Sequence, residues 1–412
     1  MLKGNAIVAQ SGGPTAVINS SVCGVAQQWL KNEQIGTLYG ALFGIRGVLE
    51  GRLVDLGAQS QEVIAGLRYT PGAALGSSRY KLKTEEDYIK LLEAFKKYNI
   101  RYFFYIGGND SMDTCDKVNR LAEKNNYEMR VIGIPKTVDN DLPVTDHCPG
   151  YGSAARYIAT SVLEAGMDLK NLITGNRIVL FEAMGRNTGW LAAASVLARR
   201  EPGDAPHLIY LPEVPFNKDR FLADVEAVYR KNDYAFVVVS EGLVDEKGDY
   251  IFAGKERDSF GHAQLGGLAD TLRGMIEAET GVKVRTIIPA TLQRSAMHCV
   301  SGNDNEEAYR LGVEAVNMAL QGQSGIMLTL VREEGTPYRC SIGSTELAKV
   351  ANVEKKVPRE WITREGNDVT ADFINYARPL IEGELSLPMK GGLPLFSSLE
   401  GVSFQELRVA LR

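Results

Sequence analysis

The sequence predicts an α/β fold with parallel sheets, and three observations carry that reading. Short apolar runs alternate with longer helical patterns along most of the chain. The runs are continuously apolar, as in strands buried on both faces. Each run ends in a loop rich in Gly and charged residues, at the carboxyl end where open α/β sheets bind ligands. Such chains fold as α/β units with right-handed crossovers.

The elements follow in order. Ala6–Ala9 is the first strand, followed by Gln-Ser-Gly-Gly-Pro and a helix to about Leu30. Tyr102–Ile106 is a buried strand, followed by Gly-Gly-Asn-Asp-Ser and a helix to about Lys124. Arg130–Ile134 ends in Pro-Lys-Thr-Val-Asp-Asn-Asp. Arg177–Phe181 leads through Glu-Ala-Met-Gly-Arg to a helix ending near Arg199. Tyr234–Val239 runs into Ser-Glu-Gly, and Thr286–Pro289 is a weaker strand before Leu-Gln-Arg-Ser. Gly325–Ile342 reads as antiparallel strands joined at Gly335-Thr-Pro337. Asp368–Ala377 reads as a short helix with Asp368 as N-cap and Pro379 as its stop. Pro388–Gly401 is expected to wrap the surface.

Composition narrows the function. A chain of 412 residues suggests two or three folded units, at roughly 150 per domain. A net charge of −5 disfavours a dedicated nucleic-acid binder but permits local clusters of cations. Five cysteines without metal-type spacing fit a reducing compartment and buried, unpaired thiols. The longest apolar stretch, Trp190–Ala198, is too short to span a bilayer, and the start lacks a signal pattern. A soluble, cytoplasmic protein without membrane partners is the expectation.

Three loops carry chemistry. Ser11-Gly12-Gly13-Pro14 lets backbone N–H groups approach an anion at a helix N-terminus, although a tight turn uses the same residues. Gly107-Gly108-Asn109-Asp110-Ser111 repeats the double glycine but adds a carboxylate, which repels phosphate unless a cation stands nearby; Asp110 or Ser111 could equally cap a helix. Pro135-Lys136-Thr137-Val138-Asp139-Asn140-Asp141 groups a cation, a hydroxyl and two carboxylates after a buried strand. A carboxylate against a sugar hydroxyl can take its proton, and a lysine can neutralise a transferring phosphoryl group. Met184-Gly185-Arg186, Glu241, Thr291-Leu292-Gln293-Arg294 and Arg79 are weak signals singly. Gly150-Tyr-Gly152-Ser-Ala-Ala155 matches a relaxed dinucleotide pattern, but no strand precedes it. The four His form no ligand spacing.

In order and spacing, Ser-Gly-Gly, Leu-Gly-Ser-Ser-Arg, Gly-Gly-Asn-Asp-Ser, Pro-Lys-Thr-Val-Asp-Asn-Asp, Met-Gly-Arg, Ser-Glu-Gly and Leu-Gln-Arg resemble the phosphofructokinase family. The resemblance implies two similar three-layer α/β/α domains with mostly parallel sheets and an active site in the cleft between them. It implies phosphorylation of the 1-hydroxyl of fructose 6-phosphate with Mg²⁺. Asp110 and Lys136 stand where ATP-using members usually carry Gly, which is similar to the pyrophosphate-dependent branch. It further implies Asp139 as base, Lys136 as transition-state cation, and Gly13, Gly108 and Arg79 as donor contacts. Thr137, Val138, Met184, Gly185, Arg186, Glu241, Thr291 and Arg294 would then hold the sugar phosphate. Arg177 and Arg285 would reach a neighbour's 6-phosphate, implying a homodimer or homotetramer. The family's metal-associated aspartate is here Asn109, and its usual His or Tyr before Leu-Gln-Arg is Thr291. The expected division is 1–145 for the donor and 146–355 mainly for the sugar phosphate, with segments after about 290 packing back. Residues 356–412 form an extension without an assigned role.

Overall fold

The computed structural model describes residues 2–32, 36–78, 80, 82–172, 174–175, 177–252 and 267–404. The first sheet draws on β1 (Asn5–Gln10), β2 (Leu38–Ala41), β3 (Leu53–Asp55), β4 (Ile100–Gly107) and β5 (Arg130–Pro135). The second uses β6 (Ile178–Ala183), β7 (Leu208–Tyr210), β8 (Ala235–Ser240) and β9 (Val284–Ile287). The chain then returns to the first sheet with β10 (Ile326–Arg332) and β11 (Cys340–Glu346). The orders are β11-β10-β5-β4-β1-β2-β3 and β7-β8-β6-β9. Only the edge strands β3 and β11 pair antiparallel in these two sheets.

Period-two burial makes each sheet the middle of three layers. Ala6 and Val8 face one apolar cluster while Ile7 and Ala9 face another. In the second sheet, Val179 and Phe181 pack towards Ile158 and Trp190, and Ile178 and Leu180 towards Phe221 and Leu272. Helix Gly302–Leu320 lies on helix Ile18–Leu30. Gly24 and Gly312 permit the close crossing, because a Cβ on Gly24 would strike the Tyr309 carbonyl and one on Gly312 the Ser21 carbonyl.

Several local expectations shift. The weak strand is Val284–Ile287, two residues earlier than read, and it ends before Pro289, which has no N–H for the ladder. Asp368 is not an N-cap. Thr370 holds that position, and Asp368 pairs with Arg199 at 2.9 Å. The helix is Ala371–Ala377 and stops two residues before Pro379. Four cysteines are buried and Cys299 is half-buried, all as free thiols. Leu38–Ala41, Leu53–Asp55 and Leu208–Tyr210 are strands of four residues or fewer that apolar-run counting passed over.

The segment after about residue 356 packs on the second sheet's helices. The rings of Trp361, Phe373 and Tyr376 lie 6.1, 6.2 and 5.3 Å from that of Trp190. Further on, Ser397 N donates to Thr70 Oγ1 at 2.9 Å and Glu400 N to Gln59 Oε1 at 2.7 Å, tying the chain back to the first unit. No helix among the described residues is long and apolar enough to cross a membrane.

Candidate active site

The carboxyl ends of β1, β4 and β5 face those of β6 and β8 across a cleft of about 560 Å³. Its walls include Gly13, Gly108, Asn109, Asp110, Lys136, Thr137, Val138, Asp139, Met184, Arg186, Glu241 and Arg294. Twelve of the predicted residues thus meet in one place. Gly185 stands just behind: its N–H donates to Glu241 Oε1 at 3.3 Å, fixing that carboxylate against the Met-Gly-Arg loop. Gly185 has φ +140°, and a Cβ there would collide with the Thr188 carbonyl, so only glycine suits this bend.

The donor end is built by backbone. Gly12 adopts φ +76°, turning the chain between β1 and the next helix. Lys136 Nζ donates to the Gly13 carbonyl at 2.8 Å, joining the first and third loops. Helix Asn109–Lys124 starts after Gly108, so Asp110 and Ser111 are first-turn residues and neither is the N-cap. Arg294 lies nearer this end than expected for a sugar-phosphate contact. A Cβ on Gly13 would come within 3.2 Å of its NH1 atom.

Burial sets the electrostatics. It pushes the Lys136 ammonium down to about 8, against the pull of Asp139. It raises the Asp139 carboxyl, opposed by Lys136, Arg186 and Arg294. Burial also lifts Asp141 to about 7, reinforced by Asp139, and Glu241 to about 7, against the Gly185 N–H. The cleft floor therefore combines carboxyls of raised basicity with a lysine that loses its proton unusually early.

Asn109 is engaged elsewhere. Its Oδ1 accepts from Asn352 N at 2.6 Å and its Nδ2 donates to Val353 O at 2.5 Å. Both polar atoms of the Asn109 side chain therefore hold the 350–353 loop, while the residue also lines the cleft. Asp141 Oδ1 is buried without a hydrogen-bond partner among the described residues, and it lines the same cleft as Asp110. No three-residue His, Cys, Asp or Glu cluster that could hold a metal occurs among the described residues. That donor set fits Mg²⁺ shared with substrate phosphates, since this ion commonly takes only one or two carboxylates.

Besides Gly185, three predicted residues among those described do not line the cleft. Thr291 is exposed at the start of a short helix. Arg177 is bound at the opposite end of the second sheet by Asp233 and the Leu172 carbonyl. Arg285, on β9, pairs with Asp168 at 3.1 Å. Arg79 lies outside the described residues. The dinucleotide-like segment opens helix Tyr151–Asn171, but the Asp304 carboxylate already accepts from Gly150 N at 2.8 Å and Ser153 N at 2.9 Å. An internal anion fills that helix terminus.

Residues 5–319 match the family model described as Phosphofructokinase. The chain belongs to the phosphofructokinase family. A relative in Methylococcus capsulatus, named pyrophosphate–fructose 6-phosphate 1-phosphotransferase, is 47% identical over 407 residues, spanning 97% of this chain and 96% of the relative. One of the same name in Halomonas elongata is 45% identical, spanning 97% of each. The crystal structure of a pyrophosphate-dependent phosphofructokinase from Marinobacter aquaeolei is similar at TM-score 0.89 and 44% identity, over 97% of both chains.

Sequence reading of this phosphofructokinase cleft missed Asn187, Asn352 and Glu354, which also line it. Asn352 and Glu354 come from the loop after β11, far from every motif. Asn187 follows Arg186 directly, and that adjacency was the one available signal.

Proposed function

We propose that the protein reversibly transfers a phosphoryl group from pyrophosphate to the 1-hydroxyl of fructose 6-phosphate, giving fructose 1,6-bisphosphate and phosphate. The observation that carries the donor is the pairing of Asp110 and Lys136 in the cleft wall beside Gly12 and Gly13. A carboxylate at Asp110 repels the α-phosphate of a nucleotide, and Lys136 supplies a cation for the group in flight. The relatives' printed names support the same donor.

In this reading, Asp139 accepts the proton of the sugar 1-hydroxyl as the oxygen attacks, and burial makes that carboxylate a better base. Lys136 neutralises charge on the transferring group, and Gly13 and Gly108 contact the donor through backbone, with Arg79 reaching its phosphates. Thr137, Val138, Met184, Gly185, Arg186 and Glu241 orient the sugar. Arg294 joins the sugar phosphate on binding, from its position near Gly13. Transfer is direct and in line, without a covalent enzyme intermediate. Mg²⁺ would rest mainly on the pyrophosphate, with Asp141 as the carboxylate beside it, where the ion would offset phosphate charge.

The donor unit is 1–145 with later strands added, and the sugar unit lies mainly within 146–355. Arg177 and Arg285 face away from their own cleft, which supports a homodimer or homotetramer in which they serve a neighbour's 6-phosphate. A cytoplasmic location fits five unpaired cysteines. The test is the initial rate of fructose 1,6-bisphosphate formation with pyrophosphate and with ATP. Turnover with pyrophosphate alone is expected, and faster turnover with ATP overturns the donor assignment.

A further inference from the structure

We propose that Asn109 is a positioning residue: its amide anchors the 350–355 segment across the cleft, so that Glu354 fixes Asn187 beside the sugar-side Arg186. The inference rests on the phosphotransferase reading and adds a specific support to its sugar site.

The anchor lies on the donor unit. Asn109 opens the helix after β4, where its side-chain oxygen receives Asn352 N and its nitrogen holds Val353 O, at 2.6 and 2.5 Å. One turn along, Asp113 Oδ1 accepts from Asn352 Nδ2 at 3.1 Å. The far end of the segment belongs to the sugar unit. Glu354 Oε1 accepts from Asn187 Nδ2 at 2.6 Å, and Asn187 Oδ1 accepts from Tyr250 OH at 2.9 Å. Next along, Lys355 N donates to Asp141 O at 2.7 Å, and Lys355 O accepts from Trp190 Nε1 at 2.9 Å. Six successive residues thus connect a donor-loop helix, the base-bearing loop and the Met-Gly-Arg loop.

The anchor has to be an amide. Asn can accept from one backbone group and donate to another at once, whereas an ionised Asp has no N–H for Val353 O. Asp at this position would set carboxylate oxygen against carbonyl oxygen, beside Asp110. The residue that looks like a weakened metal ligand is therefore the residue type that this two-way hold demands.

Asn109→Ala, Asn109→Asp, Glu354→Ala and the Asn109→Ala/Glu354→Ala pair test the segment from both ends. Glu354→Ala leaves the donor helix untouched, so it reports on the segment even where a change at Asn109 impairs folding. Each single variant is expected to raise the KM for fructose 6-phosphate about tenfold, the equivalent of about 1.4 kcal/mol. In the two alanine variants the KM for pyrophosphate is expected to move less than about twofold, which a general loss of structure does not produce. The pair should resemble either single change, because both break one connection. Asn109→Asp separates this role from metal binding: it should behave like Asn109→Ala and leave the Mg²⁺ requirement no lower. An unchanged sugar KM in the single variants, multiplied effects in the pair, or a lowered Mg²⁺ requirement in Asn109→Asp overturns the inference. Wild-type turnover with pyrophosphate checks the underlying reaction separately.

Discussion

Asp139→Asn is expected to lower kcat with pyrophosphate by about a thousandfold, within the range for removing a positioned general base. Fructose 6-phosphate binding, followed by calorimetry, should change less than about threefold, since the amide keeps the size and polarity of the carboxyl. The placement supports that split. Asp139 N donates to Thr137 Oγ1 at 3.1 Å, and the Asp139 carbonyl accepts from Thr188 Oγ1 at 3.1 Å, so the backbone is held from both sides without the carboxyl. Burial raises the carboxyl, and three cations restrain the rise. The working form is ionised, so wild-type activity should fall on the acid side as that group takes up a proton. Near-wild-type turnover in the variant would remove Asp139 from the role of base.

Lys136→Met should cost about a hundredfold to a thousandfold in kcat, the scale for deleting one preorganised charge from a water-poor site. A pH profile sharpens the test. Lys136 is pushed down to about 8 by burial, and its protonated form is the useful one. The kcat/KM of the wild type should therefore decline as pH rises through about 8, because that parameter reports groups on the free enzyme. Bound pyrophosphate favours the ammonium, so the same limb in kcat should lie at higher pH. The residual activity of Lys136→Met should lack this alkaline limb. A limb that persists unchanged in the variant assigns it to another group.

The parts of the fold that could be read from residues are those where one physical demand dominates. β1, β4, β5, β6 and β8 are buried on both faces, so their middle residues are apolar, and polar residues such as Gln10, Arg101, Arg130, Glu182 and Ser240 stand only towards their ends. β2 was missed because Gly40 interrupts it; a Cβ at that position would strike Leu75. β3 is a half-exposed edge of three residues and carries little apolar signal. The site was legible where a loop follows such a strand, as at Gly13, Asp110, Lys136 and Asp139. It was not legible in the segment holding Asn352 and Glu354, whose position depends on β10 and β11 returning to the first sheet. Nor did spacing reveal that Arg294 rests near Gly13, because a long side chain can point to either end of a cleft.

Asp304 shows how a motif can mislead. Gly150-Tyr-Gly152 does begin a helix, as an anion-binding loop would, and Gly150 has the left-handed φ of +104°. The anion it meets is a carboxylate from helix Gly302–Leu320, about 150 residues along the chain. Local pattern specifies the need for negative charge at a helix start, and tertiary structure decides which group meets it.

In the proposed reaction Asp110 and Lys136 make this cleft a pyrophosphate site rather than a nucleotide site. The most direct test is the ratio of kcat/KM for pyrophosphate to that for ATP, in the wild type and in Asp110→Gly/Lys136→Gly. A ratio strongly favouring pyrophosphate is expected in the wild type. In the double variant it should fall by about a hundredfold or more, through weaker pyrophosphate use and some gain with ATP. Undiminished pyrophosphate turnover in the double variant would contradict it.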